Sequence, residues 1–275
     1  MKTIIVATDF GEIASNALSY ATDLSLVMGY NLTLVHIVPF IIPTSEVPSP
    51  ISSEGTLIEN AEKKLKNLKE ELIAKVNNKI TIDYIIKEGN FIHELGSMCE
   101  MINPYAIVMG SEERTGLERM IFGNKTISVL EKLMWPLIVV PPKTKFSNIK
   151  KIGLACDFKD VIETIPVEEI SVLINKFNAE FHVLHVSQEN INNYTSEEIE
   201  ESGWLHQLIS GLNPKYHFLR GNKIEKMISE FAQENALDLL IIIPKEHNLI
   251  TKIFTQTHST KLVLQSHVPI MAIHE

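Results

Sequence analysis

The sequence is short of positive charge, of cysteine and of long apolar runs, and each shortage removes a class of function. Lysine and arginine number 25 against 34 aspartates and glutamates, a formal charge of −9. Nucleic acid and anionic membrane are therefore not expected as partners. Small anions stay within reach, because a nest of backbone N–H groups binds phosphate even on an acidic protein. The two cysteines, Cys99 and Cys156, each fall in an apolar segment and read as buried thiols in a reducing compartment. The longest apolar runs, such as "LDLLIIIP", stop short of a membrane span. The opening "MKTIIVATDF" lacks the apolar length and cleavage site of a secretion signal. The expectation is a cytoplasmic chain.

Catalytic signatures are missing too. No GxSxG elbow, CxxC pair, GxGxxG loop or lysine-bearing phosphate loop occurs, so no catalytic residue is assigned. His247, His258, His267 and His274 match no common zinc spacing, and "HELGS" at 93–97 lacks the second histidine of a metalloprotease helix. No metal site is expected. Asp9 and Asp157 read as helix-start caps or ligand-orienting residues, and His36 and His185 as structural.

What is present is a chain written twice. "TIIVATDF" at 3–10 returns as "KIGLACDF" at 151–158, pairing Asp9 with Asp157. "LTLVHIVP" at 32–39 returns as "FHVLHVSQ" at 181–188, pairing His36 with His185. "YIIKEGNFI" at 84–92 returns as "YHFLRGNKI" at 216–224, and "WPLIVVPP" at 135–142 as "VPIMAIHE" at 268–275. Four matches in one order indicate a tandem duplication. The halves are bounded as 1–143 and 149–275, with "PPKTKFSN", 141–148, as the linker.

Each half alternates strand and helix signals. "TIIVA" is a continuous apolar run, as suits a strand buried on both faces. Residues 12–28 predict a helix ended by Gly29. Ile58, Ala61, Leu65, Leu68, Leu72 and Val76 recur at helical spacing. Further helices are predicted at about 91–102 and 117–133, and further strands at "LTLVHIV", "ITIDYIIKEG", "YAIVM" and "LIVV". Strands joined by helices imply a mostly parallel sheet covered on both sides. The fold class is α/β: two tandem, doubly wound, Rossmann-like domains of five strands each. Their terminal strands are expected to pack the halves as a pseudo-dimer within the chain, with a further homodimer as an option.

The order of "IIVATDF", "LTLVHIV", "EGN", "AIVMGS", a spaced second glycine and "PLIVV" resembles the universal stress protein family in its tandem form. The resemblance covers nearly the whole chain. It implies a stress-response binding protein, and, in one branch, a nucleotide (ATP or AMP, with magnesium beside ATP) at the carboxyl ends of the strands. Another branch binds no ATP.

That branch's pattern is Gly, two residues, Gly, nine residues, Gly, then Ser or Thr. Gly110 and Gly123 match its first and third glycines, Glu113 replaces the second, and Asn124 stands for Ser or Thr. By the same resemblance Asp9 matches the family's aspartate after the first strand, and Ile37 the adenine-side position following His36. Ala7, Thr8 and Met109 join them as pocket residues by the same resemblance. Lys125 and Thr126 add a charge and a hydroxyl at the start of the last helix. Glu113 disturbs this cradle: positive φ there would cost about 1–2 kcal/mol. A carboxylate about 4 Å from phosphate would add up to ~4 kcal/mol per charge pair at an effective dielectric of about 20. In the second half Ile242 or Ile243 replaces the first glycine and Pro244 removes an N–H. A nucleotide is expected in the first half only, with weakened affinity. The alternatives are a protein-interaction scaffold with an empty pocket and a slow ATP hydrolase.

Overall fold

The computed structural model describes residues 1–40, 54–111, 125–187, 195–244 and 258–274. In the first half, β1 (Thr3–Ala7) leads into α1 (Glu12–Met28) and β2 (Asn31–Val38). Then follow α2 (Glu54–Val76), β3 (Ile82–Glu88), α3 (Phe91–Ile102), β4 (Ala106–Gly110), α4 (Lys125–Lys132) and β5 (Leu137–Val140). The helix ends follow local chemistry. Gly29 closes α1 in the left-handed conformation at φ 71°, where an N–H reaches back to the Ser25 carbonyl. Asn90 opens α3 by accepting the N–H groups of Ile92 and His93. On α2 the predicted stripe is the buried face: Ala61, Leu65, Leu72 and Val76 lie inside, with Ile58 and Leu68 at its margin. The expected excursion at 42–55 and the start of the 117–133 helix fall largely outside the described residues.

The second half repeats this order with one difference. β6 (Lys151–Ala155) is followed by a broken helix, α5 (Val161–Thr164) and α6 (Val167–Phe177), where α1 is continuous. Pro166 sits at the break, since its ring and missing N–H do not fit a helix interior. β7 (Glu180–Ser187), α7 (Ser196–Ile209), a 3₁₀ turn at Ser210–Leu212 and β8 (Lys215–Arg220) come next. α8 (Ile224–Glu234), β9 (Leu239–Ile242), α9 (His258–Gln265) and β10 (Ile270–Ala272) complete the chain.

All ten strands form one sheet, in the order β3-β2-β1-β4-β5-β10-β9-β6-β7-β8. Every pairing is parallel except β5 with β10. There Val139, Ile138 and Leu137 face Ile270, Met271 and Ala272 in antiparallel register. Alternation sends Ile138, Val140 and Met271 into the core on one side of the sheet and Leu137, Val139, Ile270 and Ala272 into the other. Both halves feed both cores, so the expected pseudo-dimer is one body. The linker is packed as well: Phe146 meets Tyr20 of α1 edge-on at 5.3 Å and Phe177 of α6 at 6.5 Å.

This seam makes a prediction. Ile138, 2% exposed, contacts the core across the junction. Ile138→Ala should cost about 2–4 kcal/mol by cavity formation. Calorimetry should show one unfolding transition moving to lower temperature as a unit. Two separate transitions, with only the first displaced, would show that the halves unfold independently.

Candidate functional site

The turn after β1 stands at the point where the sheet's winding reverses, between β2 and β4. In such folds the crevice at the strands' carboxyl ends is where ligands bind. Ala7 ends β1 and is buried, and the Thr8 N–H extends the ladder to the Val35 carbonyl at 2.9 Å. Phe10 then adopts φ 67°, a left-handed conformation that is strained for a bulky residue. Three contacts hold it. The Phe10 N–H donates to Thr8 Oγ1 at 3.0 Å, and the Gly11 N–H donates to Asp9 Oδ1 at 2.9 Å. The Phe10 ring lies 4.6 Å from the His36 ring. His36 Nδ1 in turn donates to the Thr8 carbonyl at 2.7 Å, which fixes the proton on Nδ1 because a carbonyl only accepts. Asp9 is thus a turn residue rather than the cap of α1, whose N-cap is Gly11.

The second half builds the same turn. The Cys156 N–H bonds to the Leu184 carbonyl at 3.0 Å, and the Phe158 N–H points to Cys156 Sγ at 3.4 Å. Phe158 has φ 53° and stacks on His185 at 4.3 Å, whose Nδ1 reaches the Cys156 carbonyl at 3.0 Å. The structural role expected of His36 and His185 is therefore borne out. Here the phenyl ring is 1% exposed and belongs to the core. Glu198 of α7 lies 4.0 Å from His185 Nε2; the Thr195 backbone N–H, more than the imidazole, pulls its carboxyl below the usual range.

Across the crevice, Gly110 ends β4 beside β1. A Cβ added there would stand 2.4 Å from Ile13 Cγ2 and 2.9 Å from the Ile13 carbonyl oxygen. Its glycine character is therefore used by the close approach of α1, a packing demand that sequence spacing did not show. Thr126 is buried and its hydroxyl donates to the Gly110 carbonyl at 2.9 Å, which ties the first described turn of α4 to the strand end. Lys125 reaches over the Phe91 ring at 4.9 Å. Ile37 and Met109 are both buried in the core on one side of the sheet. Gly123, Asn124 and Glu113 lie outside the described residues.

Strand register settles which residue corresponds to Gly110. Ile4 pairs with Ala106 as Ile152 pairs with Leu239, so Gly110 matches Ile243 and Ser111 matches Pro244. The Ser111 N–H bonds to the Val140 carbonyl at 3.0 Å, a bond that Pro244 cannot make.

Among the described residues no three His, Cys, Asp or Glu side chains form a metal site, and no helix is long and apolar enough to cross a membrane. Cys99 is buried, and burial pushes its thiol up to about 12, while Cys156 is only half-buried, contrary to expectation. It ends up at the strand-end turn, where the chain leaves the sheet.

A model of the universal stress protein family matches residues 1–141. A curated universal stress protein of Methanocaldococcus jannaschii is 27% identical over 149 residues, covering 52% of this chain and 84% of that protein. A second from the same organism is 25% identical over 158 residues, covering 52% and 96%. Among solved structures, a universal stress protein from Archaeoglobus fulgidus has a TM-score of 0.75 at 17% identity, covering 99% of this chain and 96% of that one. This last likeness is one of fold, and it spans both halves.

Gly110→Ala should force α1 away from β4 and cost about 1–3 kcal/mol, as overpacking does. Chemical denaturation checks it. An unchanged midpoint would mean that α1 shifts freely and that Gly110 has no packing duty.

Proposed function

The chain belongs to the universal stress protein family, and we propose that its first half binds an adenine nucleotide, ATP or AMP, while its second half acts as a structural partner. One observation carries this reading: the Thr126–Gly110 hydrogen bond pins the start of α4 to the carboxyl end of β4, and the corresponding strand end carries Ile243 and Pro244. Phosphates would meet the N–H groups and positive end of α4 near Gly123 and Asn124, with Lys125 supplying charge and magnesium accompanying ATP. Asp9 keeps Oδ2 without a hydrogen bond among the described residues, and with Ala7, Thr8, Ile37 and Met109 it would form the adenosine side. The domains are those of residues 1–143 and 149–275, the setting is cytoplasmic, and the role is binding and regulation in stress rather than efficient catalysis.

A second reading has its own support. Ile13 accounts for Gly110 without any ligand, and Glu113 opposes phosphate, as a scaffold with an empty pocket would allow. Calorimetric titration with ATP and AMP, with and without magnesium, separates the two. On the binding reading, Gly123→Val abolishes binding and Asp157→Ala leaves it nearly unchanged. Glu113→Gly tightens ATP by about 1–2 kcal/mol, roughly 5- to 30-fold. Equal loss from Gly123→Val and Asp157→Ala would overturn the assignment to the first half, and no heat from any form would favour the scaffold.

A further inference from the structure

A cavity of about 140 Å³ lies where the two halves and the linker meet, and none of its lining residues belongs to the turn after β1. Its walls include Tyr20 of α1, Thr144, Lys145 and Ser147 of the linker, and Asp238 and His267 of the second half. Asp238 precedes β9 and Pro269 precedes β10, so the cavity sits at the amino ends of those strands. Its size is close to that of a cavity that takes a ligand of about six non-hydrogen atoms, and is many times the space one water needs.

Two polar atoms at this cavity have no hydrogen-bond partner among the described residues. Tyr20 is 3% exposed, yet its hydroxyl makes no hydrogen bond to any described residue. Burial first, and the Asp238 carboxylate second, push its ionisation above the usual range, so it stays a neutral donor. Asp238 is fixed by one oxygen only: Oδ2 accepts the N–H groups of Lys150 at 2.7 Å and Lys151 at 3.0 Å. Oδ1 has no hydrogen-bond partner among the described residues. Tyr20 is buried and Asp238 half-buried, and in this open cavity both polar atoms are within reach of water or of a polar ligand that displaces it. Lys145, exposed on the linker, puts a positive charge on the same wall. An inorganic anion would meet the carboxylate, and an apolar ligand would leave both groups unmet.

We propose that this cavity binds a small zwitterion of the size and charge pattern of a free amino acid. Its ammonium group donates to Asp238 Oδ1, its carboxylate lies toward Lys145 and the linker hydroxyls, and the Tyr20 hydroxyl donates to it. Such a ligand joins α1, which begins at the turn after β1, to the linker and the second half.

The full chain is titrated calorimetrically with the common amino acids one at a time, and with acetate and methylammonium as half-ligands. At least one amino acid should bind at least about tenfold more tightly than either half-ligand. Tyr20→Phe and Asp238→Asn should each weaken it about tenfold or more, as loss of a hydrogen bond to a charged group does. Tyr20→Phe removes a single oxygen, so it serves if Asp238→Asn disturbs the fold; Lys145→Ala, at an exposed linker position, should weaken binding as well. No heat from any amino acid would overturn the proposal and leave the cavity to water. Equal binding of acetate, or an affinity indifferent to both Tyr20→Phe and Lys145→Ala, would overturn it too.

Discussion

The structure depends on the antiparallel pairing of β5 with β10. Each half alone would end in an apolar strand with unpaired N–H and C=O groups, an edge that invites aggregation. Joining them leaves β3 and β8 as the outer edges, and these carry charge: Asp83, Lys87 and Glu88 on one, Lys215 and Arg220 on the other. The pairing also sets polarity. Because it is antiparallel, the carboxyl ends of the first half's strands lie on the side of the sheet where the second half has its amino ends. The two strand-end crevices therefore open on opposite sides and share no residues. One can lose its ligand-binding chemistry while the other keeps it.

The strand-end turn shows which features belong to the fold rather than to a ligand. Phe10 and Phe158 both occupy a conformation that costs about 1–2 kcal/mol, and both are held by a histidine that bonds to the backbone carbonyl two residues before the phenylalanine. The second half keeps this arrangement while Ile243 and Pro244 replace the small residues at the end of β4. The turn is therefore a device for starting the first helix of each half. Asp9 and Asp157 owe their place to it, and neither is evidence of a ligand by itself.

The repeat, the parallel sheet and the joining of terminal strands were legible because they rest on apolar periodicity, which burial on both faces makes strong. The histidines were legible as structural from their place after apolar strand residues. Less was visible at the site. Nothing in the spacing of Gly110 reveals Ile13, a contact made by a helix almost a hundred residues earlier in the chain. The left-handed phenylalanines were also hidden, although the repeated "TDF" and "CDF" before a helix, matched to His36 and His185, was the available signal. Tyr20 and Asp238 read as a helix residue and a turn residue, and only the fold brings them to one cavity.

The central claim is that the duplication has become asymmetric, with a nucleotide held by the first half alone. Methyl-detected NMR of the full chain, titrated with ATP, tests this directly, because isoleucine methyls stand at the carboxyl ends of the strands in both halves, with Met109 beside them in the first. The account predicts shifts at Ile13, Ile37 and Met109, with Ile242 and Ile243 unmoved. Comparable shifts in both sets would contradict it.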